Sequence, residues 1–265
     1  MSVADNLHFL TINNQKLEFV WHGPAPDEFP TLVFLHEGLG CVAMWRDFPA
    51  RLAAATGCGA LVYSRAGYGA SSACSLPRPV SYMHDEALDV LPLVLQQLGI
   101  QRTILVGHSD GGSIALIYAG SQHAQRPPEL LGVITEAAHV LCEAISVQSI
   151  HAIRQLYDEE DLRQRLAKYH GDNVDCAFFG WNDAWQHPDF WHWNLEAYLL
   201  NIQAPLLVIQ GEDDEYGTLA QVETIVRHTN AEQLLLPECG HTPHRAQEEA
   251  TLAAMTQFVQ HCLAS

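Results

Sequence analysis

The sequence predicts an α/β fold: a mostly parallel, twisted sheet flanked by helices, with a helical segment inserted between two of its later strands. Three observations predict it. Short apolar runs of strand length recur, among them "TLVFLH" (31–36), "TILVG" (103–107) and "PLLVIQG" (205–211), continuous enough to be buried on both faces. Stretches with helical spacing separate them, so strand and helix alternate as crossover connections require. One segment, 139–203, breaks this rhythm. It contains no clear buried strand and holds four of the six tryptophans, Trp181, Trp185, Trp191 and Trp193.

The elements follow in chain order. "LHFLTI" (7–12) and "KLEFVWHG" (16–23) read as two strands around the turn "NNQ". "TLVFLH" follows a proline, and a helix is expected from about Met44 to Ala55. "ALVYS" (60–64) is a buried strand and "RAGYGASS" the loop after it. Apolar residues at Met83, Ala87, Val90, Leu91, Val94, Leu95 and Leu98 give helical spacing over 81–98, with Ser81 as N-cap. Pro92 should kink or break that helix. "TILVG" leads into a helix over 110–122, and "LLGVITEA" (130–137) is the next strand. The inserted segment contains a polar helical stretch, "DEEDLRQRLAKYH", then "FFGWNDAWQHPDFWHWN". After it come "PLLVIQG", a helix from Leu219 to His228, "AEQLLLP" (231–237), and a tail helix with Leu252, Met255, Val259 and Cys262 on one face. The expected division is a core of residues 1–138 and 204–265 with a helical lid at 139–203.

Composition narrows the function. At 265 residues and 48% hydrophobic content the chain has material for one sizeable core. A formal net charge of −18 repels nucleic acid and anionic membrane surfaces, so neither is an expected partner. Seven scattered cysteines, with no CxxC pair, do not read as a disulfide framework and fit a reducing cytoplasm. The N-terminus has no basic, apolar leader pattern, and no run reaches transmembrane length. Oligomeric state is not legible.

The chemistry centres on "RTILVGHSDGGS" (102–113). Gly107-His108-Ser109-Asp110-Gly111 matches G-x-S-x-G between an expected strand and an expected helix, the context in which a strained turn exposes a nucleophilic serine. The glycines give room for that turn, and the helix start places a positive dipole end near a developing oxyanion. The alternative is a glycine-rich turn with a serine cap. A base is expected after the last strand, where "PECGHTPHRAQEE" offers His241, with His244 as its competitor. An acid is expected after "VIQG", where residues 212–215 are all carboxylates. Such a run is ordinarily a solvated loop, but it lies at a strand's carboxyl end, where ligands bind in open α/β sheets. His241 and His244 do not specify a metal site, which needs further ligands in fixed geometry. No metal and no organic cofactor is expected.

Four signatures, "HEGLG", "SRAGYGASS", "GHSDGG" and the paired "GEDD" and "CGH" loops, make the chain resemble the α/β-hydrolase fold superfamily over nearly its whole length. The resemblance implies a Ser109–His241–Asp214 triad, with Asp213 as second choice for the acid. It implies an oxyanion hole from the amides of Asp110 and Gly38, with Leu39 possible. The superfamily's His-Gly-X-Pro-Gly loop here carries Glu37 in place of its first glycine, so Glu37 is expected to bond within the loop or point outward. Asp110 is read as a helix-start aspartate, with recognition of an amino group as the alternative. Glu37, Leu39, His139, Trp181, Trp185 and Tyr216 are candidate substrate-binding residues, and Trp45 a weaker one. His36 and His108 are expected to pack and hydrogen-bond. The implied activity is hydrolysis of a small carboxylic ester, lactone or thioester through an acyl-enzyme. The alternatives are a carbon–carbon bond hydrolase of the aromatic-degradation type, perhydrolysis, cofactor-free oxygenation, and a non-catalytic ligand-binding protein.

Overall fold

Alternation of side chains along the strands builds the sheet's two cores. In β3 (Thr31–Leu35) Leu32 and Phe34 point to one face, while Val33 and Leu35 point to the other. The computed structural model describes residues 7–126 and 128–264. Its eight strands are β1 (His8–Ile12), β2 (Gln15–His22), β3, β4 (Gly59–Tyr63), β5 (Arg102–His108), β6 (Glu129–Glu136), β7 (Leu206–Gly211) and β8 (Glu232–Leu236). They lie in the order β1-β2-β4-β3-β5-β6-β7-β8. The β1–β2 and β2–β4 pairs are antiparallel and the rest parallel. The β1–β2 turn is made by Asn13 and Asn14, both at positive φ (50° and 63°), as a tight hairpin turn requires.

On one face pack α1 (Phe48–Thr56) and α11 (Glu248–Ala264), through Phe48, Leu52, Met255, Phe258 and Val259. The expected helix from Met44 instead begins at Phe48, after a short 3-10 turn at Val42–Trp45. The other face carries α2 (Tyr82–Asp85), α3 (Leu91–Gln97), α4 (Asp110–Ala119) and α9 (Ala220–His228). Between α2 and α3 the chain makes a π turn at Glu86–Val90, and Pro92 follows as the second residue of α3. The proline has no amide hydrogen for the ladder, and the wider turn takes up the mismatch. Ser81 stands at the start of α2, but its hydroxyl bonds the Asp85 side chain rather than capping a backbone amide. Every residue of α4 is buried.

The chain between β6 and β7 is a helical segment. It comprises α5 (Ala144–Glu159), α6 (Leu162–His170), α7 (Val174–Gln186) and α8 (Glu196–Leu199). The stretch "DEEDLRQRLAKYH", expected as one helix, is broken at Glu160, where the backbone is extended. Helices α5 and α7 pack through Tyr157 stacked on Phe178, ring centroids 3.6 Å apart. On the outside, Arg154 of α5 pairs with Asp158 and with Asp183 of α7, and Arg163 of α6 pairs with Asp175 of α7. Trp185, Phe190 and Trp193 form an aromatic cluster inside, while Trp191 lies half exposed. After β8 comes one further short helix, α10 (Pro243–Ala246). No helix of the described residues is long and apolar enough to cross a membrane.

Candidate active site

Ser109 sits at the carboxyl end of β5 with φ 53° and ψ −116°. A non-glycine residue holds such a conformation only when its surroundings enforce it. The enforcement is visible. The Ser109 amide donates to the Glu136 carbonyl at the end of β6, 2.8 Å away. A methyl group on Gly107 would lie 2.2 Å from the Gly111 carbonyl oxygen, and one on Gly111 would lie 1.9 Å from that of Leu35. The glycines are thus required by backbone meeting backbone at the turn and against β3, rather than by collision with the serine itself.

His241 follows β8 in the "CGH" loop and Asp214 follows β7. The imidazole Nδ1–H donates to both Asp214 carboxylate oxygens, at 2.8 and 2.9 Å. Gln210 Nε2 (2.6 Å) and the Tyr216 amide (2.8 Å) also donate to that carboxylate. Burial pushes the Asp214 carboxyl up, but the hydrogen bond and charge of His241 and the Tyr216 amide outweigh it, and the net shift is downward. With Nδ1 so engaged, Nε2 is the remaining basic nitrogen of His241, whose ring lines the same cavity as Ser109. A strained serine and an imidazole oriented by a buried carboxylate, lining one cavity, are parts that nucleophilic acyl transfer uses. Asp213, the second choice for the acid, is exposed.

Two further carboxylate–histidine pairs lie beneath this loop. Glu37 points inward: its carboxylate lies over Gly40 and 3.5 Å from His108 Nδ1. His108 Nε2–H donates to the His241 carbonyl at 2.7 Å. Burial lowers the His108 pKa, but Glu37, Glu136 and the His241 carbonyl outweigh it, and the net shift is upward. Burial likewise pushes Glu37 up, and His108 brings it well below the usual carboxylate range. Glu136 accepts from both the His244 amide (2.9 Å) and His244 Nδ1 (3.0 Å). His244 is buried against Trp45 and Phe48 and does not line the cavity of Ser109, which sets it apart from His241. His36 is neutral: its Nδ1–H donates to the Glu37 carbonyl and its Nε2 accepts from the Arg65 amide.

The Asp110 side chain is fully buried and its oxygens are engaged. Tyr82 Oη donates to Oδ2 at 2.5 Å, Trp185 Nε1 donates to Oδ1 at 3.3 Å, and the Arg65 guanidinium lies 4.0 Å away. These partners support the helix-start reading of Asp110 over amine recognition. Arg65 also donates to the carbonyls of His36 and Glu37, at 2.6 and 3.0 Å, and so braces the "HEGLG" loop. Sequence reasoning missed Arg65, Tyr82, Gln210 and Glu136. A charged residue ending an apolar strand was the available signal for Glu136 and Arg65; Tyr82 and Gln210 gave none.

Ser109 and His241 open on a cavity of about 210 Å³. Its lining includes Glu37, Gly38, Leu39, His108 and Asp110; Trp181, Trp185 and Ile150 come from the helices between β6 and β7; His139, Glu215, Tyr216 and Thr242 complete the wall. All the substrate-binding candidates therefore meet there, except Trp45, which is buried in the core against Phe34 and His244. Trp181 approaches closely enough that a methyl on Gly38 would come within 2.1 Å of its Nε1. The Gly38 and Asp110 amides donate to no protein acceptor among the described residues. His139 Nε2 donates to the Tyr216 carbonyl at 3.1 Å, and burial, then the His241 charge, lower its pKa. Among the described residues no group of three or more His, Cys, Asp or Glu side chains converges as a metal site.

The sequence profile of the Alpha/beta hydrolase family matches residues 32–254. A 2-succinyl-6-hydroxy-2,4-cyclohexadiene-1-carboxylate synthase of Enterobacter sp. (strain 638) is 26% identical, the match covering 88% of this chain and 92% of that protein. Among solved structures, the enol-lactonase from Burkholderia xenovorans LB400 is similar with a TM-score of 0.73 and 19% identity, covering 95% of this chain and 99% of its own. A structure from a study of carboxylesterases of Nitrososphaera gargenis is similar with a TM-score of 0.76 and 17% identity, covering 97% and 99%. At such identities the two structures speak for the fold.

Proposed function

The chain belongs to the alpha/beta hydrolase family, and we propose that within it this protein is a serine hydrolase that cleaves a small, uncharged carboxylic ester or lactone. The observation that carries this reading is the His241–Asp214 pair opening with the strained Ser109 on one cavity. Ser109 Oγ attacks the acyl carbon while His241 Nε2 takes its proton. Asp214 holds the imidazole tautomer and stabilises the imidazolium. The amides of Gly38 and Asp110 receive the oxyanion, each worth about 3 kcal/mol in the barrier. His241 then protonates the leaving oxygen, and water releases the acyl group by the same steps in reverse. Residues 139–203 act as a lid whose Trp181 and Trp185 shape the acyl pocket.

Cavity size and charge support the choice of substrate. About 210 Å³ is somewhat more than the roughly 150 Å³ that holds a benzene ring, which suits a short or monocyclic acyl group. No lysine or arginine lines the cavity among the described residues; of its lining carboxylates Glu37 pairs with His108, which lines the cavity too, and Asp110 faces Arg65, leaving Glu215 without an ion-pair partner among the described residues. That lining disfavours an anionic substrate. It weighs against transferring to this chain the chemistry of the relative named for a carboxylate product, and against a carbon–carbon bond hydrolase acting on acids.

A fluorophosphonate probe followed by peptide mapping tests the reading. The adduct is expected on Ser109, and Ser109→Ala should abolish both labelling and p-nitrophenyl acetate hydrolysis. Turnover surviving in Ser109→Ala, or no labelling of a folded wild type, would overturn it and favour a ligand-binding role.

A further inference from the structure

Away from the cavity, two thiols meet where the helical insertion crosses the loop after β4. Cys74 lies in that loop and Cys176 in the first turn of α7; 102 positions separate them in sequence, and their Sγ atoms are 2.8 Å apart. The backbone holds them together. The Cys74 amide donates to Cys176 Sγ at 3.3 Å, and the Cys176 thiol donates to the Cys74 carbonyl at 3.4 Å. Both sulfurs rest against Gly67, at φ +89°, where a methyl group would come within 2.7 Å of one and 3.0 Å of the other. Arg78 Nε donates to Cys74 Sγ at 3.1 Å. Its guanidinium is fixed by the Ala66 carbonyl and lies 4.8 Å from the Tyr68 ring centre. Both cysteines are half-buried, whereas Cys41, Cys58, Cys239 and Cys262 are buried. No other pair of sulfurs is in contact among the described residues.

We propose that Cys74 and Cys176 form a thiol–disulfide exchange site, which a low-molecular-weight disulfide of the glutathione type converts to a bond between the core and α7. The Cys74 thiol loses its proton to solvent and attacks one sulfur of the small disulfide. A mixed disulfide forms, and the first small thiolate leaves and takes up a proton. Cys176, deprotonated in turn, attacks Cys74 Sγ. The protein disulfide forms and the second small thiolate leaves and is protonated. Two protein thiols are oxidised by two electrons, and one small disulfide is reduced to two thiols. The sulfurs need little movement to bond, and the facing guanidinium balances negative charge on Cys74 during exchange. Because α7 carries Trp181 and Trp185 onto the cavity wall, the bond fixes that wall to the core. A single exchangeable pair of this kind suits a reducing compartment, where disulfides are transient. The site does not depend on the hydrolase reading.

The test treats the whole native protein with oxidised glutathione, blocks the remaining thiols with N-ethylmaleimide, and measures intact mass and linked peptides. The expected product is lighter by two hydrogens, takes up two fewer maleimides, yields one cross-linked peptide pair containing Cys74 and Cys176, and reverts with dithiothreitol. Hydrogen exchange of α7 should slow on oxidation of the wild type and stay unchanged in Cys176→Ser. A stable glutathione adduct on either cysteine, full maleimide uptake after oxidation, or a cross-link through other cysteines would overturn the site. A Cys74–Cys176 bond that leaves α7 exchange unchanged would overturn its role in fixing the helix. The wild-type comparison stands without the variant.

Discussion

Asp214 accepts four hydrogen bonds from three residues, so its replacement by asparagine should leave the loop in place but present the wrong donor to His241. Asp214→Asn is expected to lower kcat for p-nitrophenyl acetate by about 10³- to 10⁴-fold with little change in KM, read from steady-state rates. Asp110 acts through different physics. Its carboxylate receives Tyr82 and Trp185 and faces the buried Arg65. Asp110→Ala would leave the Tyr82 hydroxyl without its acceptor and the buried Arg65 without a facing carboxylate, and cost about 3 kcal/mol of stability, measured by urea unfolding. An engaged carboxylate should also give no advantage to an amine-bearing ester over its neutral isostere. A clear rate preference for the amine would reopen Asp110 as a recognition residue.

At the scale of elements, the helical insertion stands on the contact between α5 and α7. Phe178 is fully buried and stacked on Tyr157. Phe178→Ala removes a buried ring and leaves a cavity, at a cost of about 3–5 kcal/mol. The loss should appear as faster hydrogen exchange in α5 and α7 while β3 and β5 stay protected; uniform loosening of the sheet would contradict it. The turn between β5 and α4 is the opposite case, an element set by the absence of side chains. The carbonyls of Leu35 and Gly111 occupy the space that methyl groups on Gly111 and Gly107 would fill.

Across the whole molecule, charge and buried histidines set the response to conditions. The Glu37–His108 pair should be strongest when His108 is protonated. Its pKa is raised on folding, so its contribution is full below the ring's ordinary value of 6.5 and is lost as pH rises through the folded value. His36, His139 and His170 have the opposite sign. Burial lowers all three, so folding loses stability as pH falls below their ordinary value. With His22 and His84, also lowered by burial, five lowered rings oppose one raised ring, so thermal stability should fall between pH 7 and 5. The deficit of His108→Gln relative to wild type should shrink as pH rises past neutrality. Melting curves of both proteins across that range check the two signs. The formal charge of −18 adds to the acidic lining, so a carboxylate-bearing ester should react more slowly than its neutral match. Part of that difference should disappear at high salt, which screens the long-range field but not the lining.

The strand sequence and the helices, those between β6 and β7 included, could be read from the chain because apolar periodicity is a local signal. So could the position of Ser109, since glycines on both sides of a serine after an apolar strand announce a turn that little else requires. Element edges were less legible: Pro92 forced a π turn, and the helix expected at Met44 began only at Phe48. Which of four neighbouring carboxylates would meet His241 followed from resemblance to a family, not from the residues themselves. Glu37, Arg65, Glu136 and His244 found their partners only in three dimensions, because ion pairs and buried hydrogen bonds join strand ends and loops far apart in sequence. The same holds for Cys74 and Cys176, since no spacing rule links two thiols 102 residues apart; only the packing of α7 on the loop after β4 joins them.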